Sequence, residues 1–303
     1  IHAGNLYVLL AQRLRPGPLA ALYGLLAFGY AVSFAVIRRA DISYGAFVAF
    51  SGQLLILFTG FGWDRLWLVF PAALAVGIAG ALFYTLSAGI AVHHFVLRPL
   101  RHIAPNMAMV AALGIAIVLM ESVRLAAASR SLWLPPLLQQ TVVFWQNGNA
   151  TVSLTTMQLL NTALMTAMVL AGGFILQHTR HGRNWRAVRD DAFAAALCGV
   201  DTQRVLLIAY LGGVLLAALA GILMTAYYGT MNSGDGLLLG LKILMIGAVG
   251  GYFSPLASAA GAALLAFAET FWSAFAPLVW REPAIFALLV FLLALGRRED
   301  LAP

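Results

Sequence analysis

Cysteine and lysine are scarce in this sequence, since each occurs once among its 303 residues, as Cys198 and Lys242. A single cysteine excludes a disulfide within the chain and a metal cluster built from cysteines. No glycine-rich run ends in Lys-Ser or Lys-Thr, so the sequence has no P-loop for ATP. The adjacent His93 and His94 point to different faces of a helix and do not form a metal-binding pair. Since no nucleophile with a partner base is recognisable either, we expect no catalytic site, metal or cofactor.

Charge is also scarce, because charged residues make up 10% of the sequence and hydrophobic residues 62%. Soluble domains carry about 25% charged residues, so this chain has too little charge to cover a surface that faces water. Its apolar runs exceed the roughly 20 residues that cross a bilayer as a helix, and they do not alternate as β-barrel strands do. The sequence therefore predicts an all-α fold, a polytopic bundle of transmembrane helices that forms one domain over residues 1–303.

The net charge of +7 lies mainly on arginines between the apolar runs, which is the positive-inside pattern of membrane proteins. No basic face carries the interleaved aromatic residues of a nucleic-acid surface, so we expect no nucleic acid partner. The clustered basic residues lie at 38–39, 98–101, 180–204 and 297–298. We therefore predict that these four clusters share the cytoplasmic face of the membrane.

Solitary arginines indicate the opposite face of the membrane. They are Arg65, Arg130 and Arg281. The proline-rich stretch 129–153 contains one of them and no acidic residue, and we predict that it forms an external loop. We predict about eight to nine crossings, and alternation between the two faces favours nine with an external N-terminus. One of these crossings is predicted to be short or interrupted, within residues 229–255.

The longest polar stretch, residues 180–204, is called the polar segment below. Because arginine at the centre of the hydrocarbon core costs several kcal/mol, this segment must lie outside the bilayer. Within it, Asp190 and Asp191 precede the small-residue run AFAAAL, where their carboxylates suit the positive end of a helix dipole. We predict a docking helix on the cytoplasmic face, held at the anionic membrane lipid by its arginines.

Ionisable residues inside the apolar runs are candidates for a functional site. Glu121 and Arg124 lie three residues apart and predict a structural ion pair on one helix. Two roles stay open for Glu269, which either pairs with Lys242 from another helix or bonds the backbone of a broken helix. Asp41 lies close to the end of an apolar run, and a helix cap and a place in a transport pathway are both open for it.

Glycines crowd the stretch 229–255. Irregular backbone at membrane depth is tolerated where it is buried or lines a cavity. Transporters bind their substrates where such short, glycine-interrupted segments meet. Small residues also let intact helices pack closely, so a substrate pathway and simple helix packing are both open here.

Several short motifs together resemble one known family. They are RPLR at 98–101, LGI at 113–115, and in the polar segment the positions Thr179, Arg180, Gly182, Arg183, Arg186, Ala187, Asp190, Asp191, Ala194, Leu197, Gly199, Val200, Arg204 and Val205. Over nearly its whole length, the sequence resembles the permease subunits of bacterial ABC importers for branched-chain amino acids, the high-affinity leucine/isoleucine/valine type.

This resemblance implies a multi-pass protein of the bacterial inner membrane that carries amino acids inward and has no ATPase site of its own. It implies four kinds of partner: a second, related permease, two cytoplasmic ATP-binding subunits, an external substrate-binding protein and lipid. The residues that it implies for coupling to the ATPase are Arg183, Arg186, Asp190, Asp191, Ala194, Leu197 and Gly199. The predicted substrate pathway contains Asp41, Ser43, Gly45, Tyr228, Gly229, Lys242 and Glu269.

The sequence departs from the family pattern in two places. Residues 40–45, ADISYG, replace an N-F-A-H-G-type sequence and are similar to the D-L-S-x-G of sugar permeases. Residues 250–257 depart from the family's glycine-rich stretch. The first departure lies where a substrate pathway is expected, so urea, short amides or another small solute stay open as cargo. The alternative from another class is a stand-alone channel or secondary transporter that uses Asp41 or Glu269.

Overall fold

The structure, a computed structural model, describes residues 17–100, 105–127, 133–135, 140–147, 150–232 and 234–296. Its elements are α1 (Gly17–Ile37), α2 (Ser43–Asp64), α3 (Phe70–Val92), α4 (Pro105–Ala126), β1 (Thr141–Asn147), β2 (Ala150–Thr155), α5 (Thr156–His178), α6 (Arg180–Asp190), α7 (Ala192–Leu197), α8 (Thr202–Tyr228), α9 (Asp235–Gly250), α10 (Pro255–Phe275) and α11 (Arg281–Gly296). A π-helical turn, His93–Leu97, and a short helix, Arg98–Leu100, extend α3, and a 3-10 turn, Leu278–Trp280, precedes α11.

Seven of the described helices are long and apolar enough to cross a membrane, namely α1, α2, α3 with its extension, α4, α5, α8 and α10. The apolar helices α9 and α11 have 16 residues each. At about 1.5 Å per residue, each is about 24 Å long, which is shorter than the ~30 Å hydrocarbon core. The predicted polytopic helical bundle is therefore confirmed, with seven full-length and two shorter apolar helices in the described ranges.

The two ends of α9 lie at opposite ends of the bundle. Before α9, Gly229 O accepts a hydrogen bond from Leu134 N at 2.7 Å, in the stretch predicted to be external. After α9, Phe253 O accepts from Arg189 Nη1 at 3.3 Å, in the polar segment. The predicted interruption near 229–255 thus consists of irregular links on either side of one continuous helix. This geometry places α9 as a traverse of the bundle, as the alternation of charges requires.

Helix α1 lies at the centre of the bundle. It packs against α5, α8, α9 and α10, and its most apolar window is 78% buried, compared with 17% for α5. A helix surrounded by neighbours must be apolar on every face, which explains why α1 has no polar stripe. The outer helices α3, α4 and α5 bury few of their residues and leave most apolar side chains partly or fully exposed, as expected for surfaces that face lipid.

The predicted external loop contains regular structure that the sequence analysis did not anticipate. Within it, β1 and β2 pair as an antiparallel hairpin, with Thr141 opposite Thr155 and an irregularity between Val143 and Trp145. The sequence does carry a signal for this hairpin, because two β-rich runs flank an Asn-Gly pair. The fold is thus an all-helical membrane bundle with one small hairpin at the end opposite to the polar segment.

Candidate functional site

The polar segment folds as two helices rather than the single docking helix that the sequence predicted. Asp191 leaves the helical conformation, with φ −149° and ψ 108°, and separates α6 from α7. Its Oδ1 accepts hydrogen bonds from Phe193 N at 2.8 Å and Ala194 N at 3.0 Å. Asp191 is therefore the N-cap of α7, which satisfies backbone donors that the helix itself leaves free.

Helix α7 presents an apolar surface at the end of the bundle. Phe193 and Leu197 are each 75% exposed, and Ala194 between them is also exposed, whereas Ala195 on the other side is buried. Gly199 ends the helix with φ +84°, a conformation that glycine adopts without steric cost. The predicted coupling residues Ala194, Leu197 and Gly199 thus lie together on one exposed edge.

Helix α6 fixes this surface to the bundle. Thr179 caps it by accepting from Gly182 N at 3.2 Å. On its inner side, Trp185 is buried and its Nε1 donates to Val32 O of α1 at 3.0 Å. Val188 packs beside Trp185 in a cluster that also includes Leu206 of α8. Motion of α6 is therefore tied directly to α1 and α8.

The arginines of α6 have different surroundings. Arg183 is exposed, as lipid or partner contact requires. Arg186 instead donates to Leu176 O and, at 3.2 Å, to Gln177 O. These carbonyls belong to the last turn of α5, where a cation is stabilised by the helix dipole. The hydrogen bonds of Arg186 therefore connect α6 to the end of α5.

The end of α6 also contacts two irregular links of the bundle. Arg38 Nη2, from the link after α1, donates to Arg189 O at 2.8 Å and to Asp190 O at 3.4 Å. Arg38 also lies over the Phe253 ring, 5.7 Å from its centroid. Arg189 pairs with Asp190 Oδ1 at 2.8 Å and donates to Phe253 O. The polar segment therefore touches both the α1–α2 link and the α9–α10 link.

Asp41 and Ser43 lie at the start of α2. The Asp41 carboxylate accepts hydrogen bonds from both the backbone N and the Oγ of Ser43, and Asp41 N donates to Tyr30 Oη at 3.2 Å. These bonds resemble a cap on the first turn of the helix. The geometry therefore supports the cap interpretation of Asp41, and it leaves a pathway role for this residue a prediction.

Gly45 marks the close crossing of α2 and α9. A Cβ atom at Gly45 would overlap Gly236 O and the backbone N of Gly240. Gly240 faces α2, whereas Lys242, two residues further on, faces the opposite side of α9. The predicted pathway residues are therefore divided by α9 into two groups, one at the start of α2 and one around Lys242.

We expect Gly45→Ala to lower the free energy of unfolding by about 1–3 kcal/mol, because the added methyl group forces the two backbones apart. Gly60→Ala in the same helix is the matched control, since a Cβ there meets no atom within 4 Å. That change should be neutral or stabilising by a few tenths of a kcal/mol through helix propensity. Thermal unfolding of the purified variants measures both effects, and equal shifts would contradict the close crossing.

Four charged side chains and a tyrosine form a charged network between α1, α9, α10 and α11. Glu269 Oε2 accepts from Tyr23 Oη at 2.8 Å and lies 3.4 Å from Lys242 Nζ. Lys242 Nζ also lies 3.0 Å from Glu282 Oε2 and donates to Tyr23 Oη at 3.1 Å. Arg281 Nε lies 3.5 Å from Glu269 Oε1, and its Nη2 lies 3.0 Å from Glu282 Oε1. The Lys242–Glu269 pair that the sequence left open is confirmed.

A cavity of about 640 Å³ is lined by the charged network. Tyr228, at the end of α8, lies at its rim, and Gly229 follows with φ +75° and ends that helix. Gln158, in the first turn of α5 after the hairpin, also lines the cavity and donates to Tyr227 Oη at 2.7 Å. The cavity therefore lies towards the hairpin end of the bundle, away from the polar segment.

Sequence reasoning missed three residues of this network, Tyr23, Arg281 and Glu282. It treated Arg281 as a solitary charge, whereas the structure pairs it with two carboxylates. Arg281 and Glu282 are adjacent and opposite in charge at the start of an apolar run, and this pattern could have indicated a functional role for both. Tyr23 lies 246 positions from Glu269, and no local pattern links the two.

The Glu121–Arg124 pair lies outside both sites. Arg124 Nε donates to Glu121 Oε2 at 2.7 Å, and both side chains are about half exposed on α4. This confirms the predicted structural ion pair. Because this pair has the same two residue types as Arg281 and Glu282 but does not line the cavity, it can serve as a control for them.

These features define a multi-pass helical membrane protein with a charged cavity among its helices and a capped polar segment exposed at one end. A family model described as the permease component of branched-chain amino acid transport systems matches residues 18–295. The chain belongs to this family. It is a permease component of a transport system.

Two curated relatives match over nearly their whole length. The high-affinity branched-chain amino acid transport system permease protein LivH of Escherichia coli K12 is 29% identical over 293 residues, 93% of each chain. The corresponding protein BraD of Pseudomonas aeruginosa is 27% identical over 308 residues, 97% of this chain and 98% of BraD. The autoinducer 2 import system permease protein LsrC of Klebsiella pneumoniae is 33% identical over only 88 residues. No solved structure matches the chain.

Proposed function

We propose that the chain is the membrane-spanning permease subunit of an ATP-binding cassette importer in the bacterial inner membrane. It carries branched-chain or other hydrophobic amino acids inward. The full-length similarity to LivH and BraD supports this cargo. The similarity to an autoinducer 2 permease covers 29% of the chain and supports another small solute less strongly.

The proposed assembly contains a second, related permease, two cytoplasmic ATP-binding subunits and an external substrate-binding protein. ATP is hydrolysed by the ATP-binding subunits, because this sequence has no P-loop. The second permease forms the transmembrane pathway together with this chain. The substrate-binding protein delivers cargo to the hairpin end of the bundle.

The observation that carries this proposal is the exposed surface of α7. Phe193 and Leu197 are both 75% exposed on a helix that lies at the same end of the bundle as Arg38. Such side chains are stabilised by burial in a groove of a partner, since exposed apolar patches mark interaction surfaces. We therefore assign α7 as the coupling helix, with Asp191 as its cap and Ala194 at its contact surface.

Coupling then passes from α7 to the membrane helices through α6. Displacement of α6 pulls on Arg38 and Phe253, because both contact the Arg189–Asp190 end of that helix. Arg38 precedes α2, and Phe253 lies between α9 and α10. The helices that cross at Gly45 are thus the ones that a docked ATPase moves.

Cys198 tests this assignment with the native chain, because it is exposed at the end of α7 and the sequence has no other cysteine. A membrane-impermeant maleimide should label it only from the cytoplasmic face. With the ATP-binding subunits at about ten times their Kd, labelling should slow about tenfold. Labelling rates in vesicles of defined orientation measure both effects.

The matched control is Val69→Cys in a Cys198→Ser background. Val69 is 76% exposed in the α2–α3 link, at the opposite end of the bundle. This cysteine should react only from outside, and at a rate that the ATP-binding subunits leave unchanged. Labelling of Cys198 from outside, or no protection at saturating ATP-binding subunit, would contradict the coupling assignment.

A further inference from the structure

All four charges of the network line the cavity, but two of them are much more exposed to it than the other two. The side chains of Lys242 and Glu269 are 8% and 3% exposed and form the enclosed part of the network. Those of Arg281 and Glu282 are 38% and 46% exposed, and both line the cavity. One guanidinium and one carboxylate, 3.0 Å apart at their nearest atoms, therefore face the same space.

The two more exposed charges, Arg281 and Glu282, are each in contact with one of the two enclosed charges. Glu269 contacts Arg281 Nε at 3.5 Å, and Lys242 contacts Glu282 Oε2 at 3.0 Å. Arginine has five N–H donors in a planar fork, and the Nε of Arg281 makes no hydrogen bond although it lies beside Glu269. The orientation of Arg281 is thus fixed before any ligand arrives, and a ligand can reach its guanidinium only through the Nη atoms, since Nε is buried.

Another polar side chain of the cavity wall, that of Asn161, has one atom without a hydrogen-bond partner among the described residues. Asn161 on α5 is 4% exposed and donates its Nδ2 hydrogen to Leu223 O at 3.0 Å. Its Oδ1 is buried with no hydrogen-bond partner among the described residues. Buried acceptors are nearly always satisfied in folded proteins, so Asn161 Oδ1 is an unsatisfied acceptor within a residue of the cavity wall.

The rest of the wall has an apolar part, with Leu22, Met165, Met224, Leu238 and Leu239, and a polar part that includes Asp235, Thr230 and Thr270. The volume of about 640 Å³ lies within the roughly 300–1,000 Å³ of small-molecule sites. Methionine side chains adapt their shape to different ligands. The cavity therefore combines an adaptable apolar wall with a fixed pair of opposite charges.

From this geometry we infer that the permease itself binds a zwitterionic α-amino acid in this cavity. Arg281 receives the α-carboxylate, Glu282 receives the α-ammonium group, and the apolar wall receives the side chain. This inference rests on the proposed function as an amino acid permease. It adds that the membrane subunit selects its cargo by charge, independently of the external binding protein.

The balance of charge explains why a zwitterion fits better than other solutes. The network itself is neutral, with two positive and two negative side chains, and the cavity wall also includes the carboxylate of Asp235. A zwitterion leaves this charge balance unchanged. A ligand with one charge leaves one partner of the Arg281–Glu282 pair unpaired, which is costly in a partly buried site. A neutral amide or urea offers neither charge, and so it gains less from both side chains.

The test measures binding to the purified full-length chain, in lipid nanodiscs with the subunits that co-purify with it and without the external binding protein. The probes are L-leucine, leucinamide, which lacks the carboxylate, and 4-methylpentanoic acid, which lacks the ammonium group. Isothermal titration calorimetry should show leucine binding, with each analogue weaker by about ten- to hundredfold.

Two variants test which group of the ligand each of the two charges binds. Arg281→Gln should weaken leucine about tenfold and remove its advantage over leucinamide. Glu282→Gln should remove its advantage over 4-methylpentanoic acid. Glu121→Gln and Arg124→Gln, which alter the half-exposed pair on α4, should leave all three affinities unchanged. Because the analogue series uses the unaltered chain, it decides the question even where a variant folds poorly.

The inference is overturned if leucine does not bind, if the analogues bind as tightly as leucine, or if the Arg281 and Glu282 variants bind like the unaltered chain. Leucine uptake by the complete transporter tests the proposed function separately. Normal uptake without binding to the permease contradicts only the cavity site. Binding that shows the predicted charge dependence, without uptake, supports the site and contradicts the importer function.

Discussion

Ala194→Glu is expected to reduce solute uptake, and the ATPase activity that substrate stimulates, by about two orders of magnitude. Ala194 lies on the exposed edge of α7, next to Phe193 and near Leu197. If the ATP-binding subunit buries this edge in a groove, a new carboxylate there loses its water and finds no fixed partner. Such an unpaired buried charge costs several kcal/mol at an interface.

The chain itself should fold and insert normally with this change, because the Ala194 side chain is exposed and Asp191 still caps α7. Ala72→Glu is the matched control, since Ala72 is an exposed alanine in the first turn of α3 at the opposite end of the bundle. Uptake into proteoliposomes and the ATPase rate measure the effect. Normal substrate-stimulated hydrolysis in Ala194→Glu would count decisively against docking through α7.

Lys242→Met is expected to lower the free energy of unfolding by about 3–5 kcal/mol, because it leaves the buried Glu269 without its ammonium partner. Glu269 is 3% exposed, and among the described residues its carboxylate then keeps the side chains of Tyr23 and Arg281 as partners. The methionine side chain fills a similar volume, so the loss reports charge rather than a cavity. Thermal unfolding of the purified protein measures it.

The double variant Lys242→Met/Glu269→Gln should recover part of this loss, since the buried carboxylate that lost its ammonium partner is then also removed. Arg124→Met is the control for breaking an exposed pair, and it should cost less than about 1 kcal/mol. If Lys242→Met were no more harmful than Arg124→Met, the buried network would contribute little to stability. The arrangement of α9, α10 and α11 around Lys242 would then need another cause.

The long helices could be predicted from the sequence because the thickness of a bilayer sets their length. Helix α9 was harder to predict, since the helix is only 16 residues long and is rich in glycine. Those glycines fit an interrupted crossing and close packing equally well. The structure shows that Gly236 and Gly240 pack against Gly45 of α2, and this contact is invisible in a local pattern.

The parts of the candidate site that depend on residues close together in the sequence could be predicted. Asp191 before a small-residue run indicated a helix start, and Glu121 with Arg124 indicated a pair on one helix. Lys242 and Glu269 were candidates because charge within an apolar run is costly. Tyr23 and the pairing of Arg281 with Glu269 depend on how four distant helices assemble, so the sequence alone did not provide them.

The most direct test of the central claim is leucine uptake by liposomes that contain this chain and its partner permease, with and without the ATP-binding subunits. With external binding protein present, the account predicts uptake only when the ATP-binding subunits and ATP are both supplied. Uptake at a comparable rate without the ATP-binding subunits would contradict the account. That result would identify the chain as a stand-alone channel or secondary transporter.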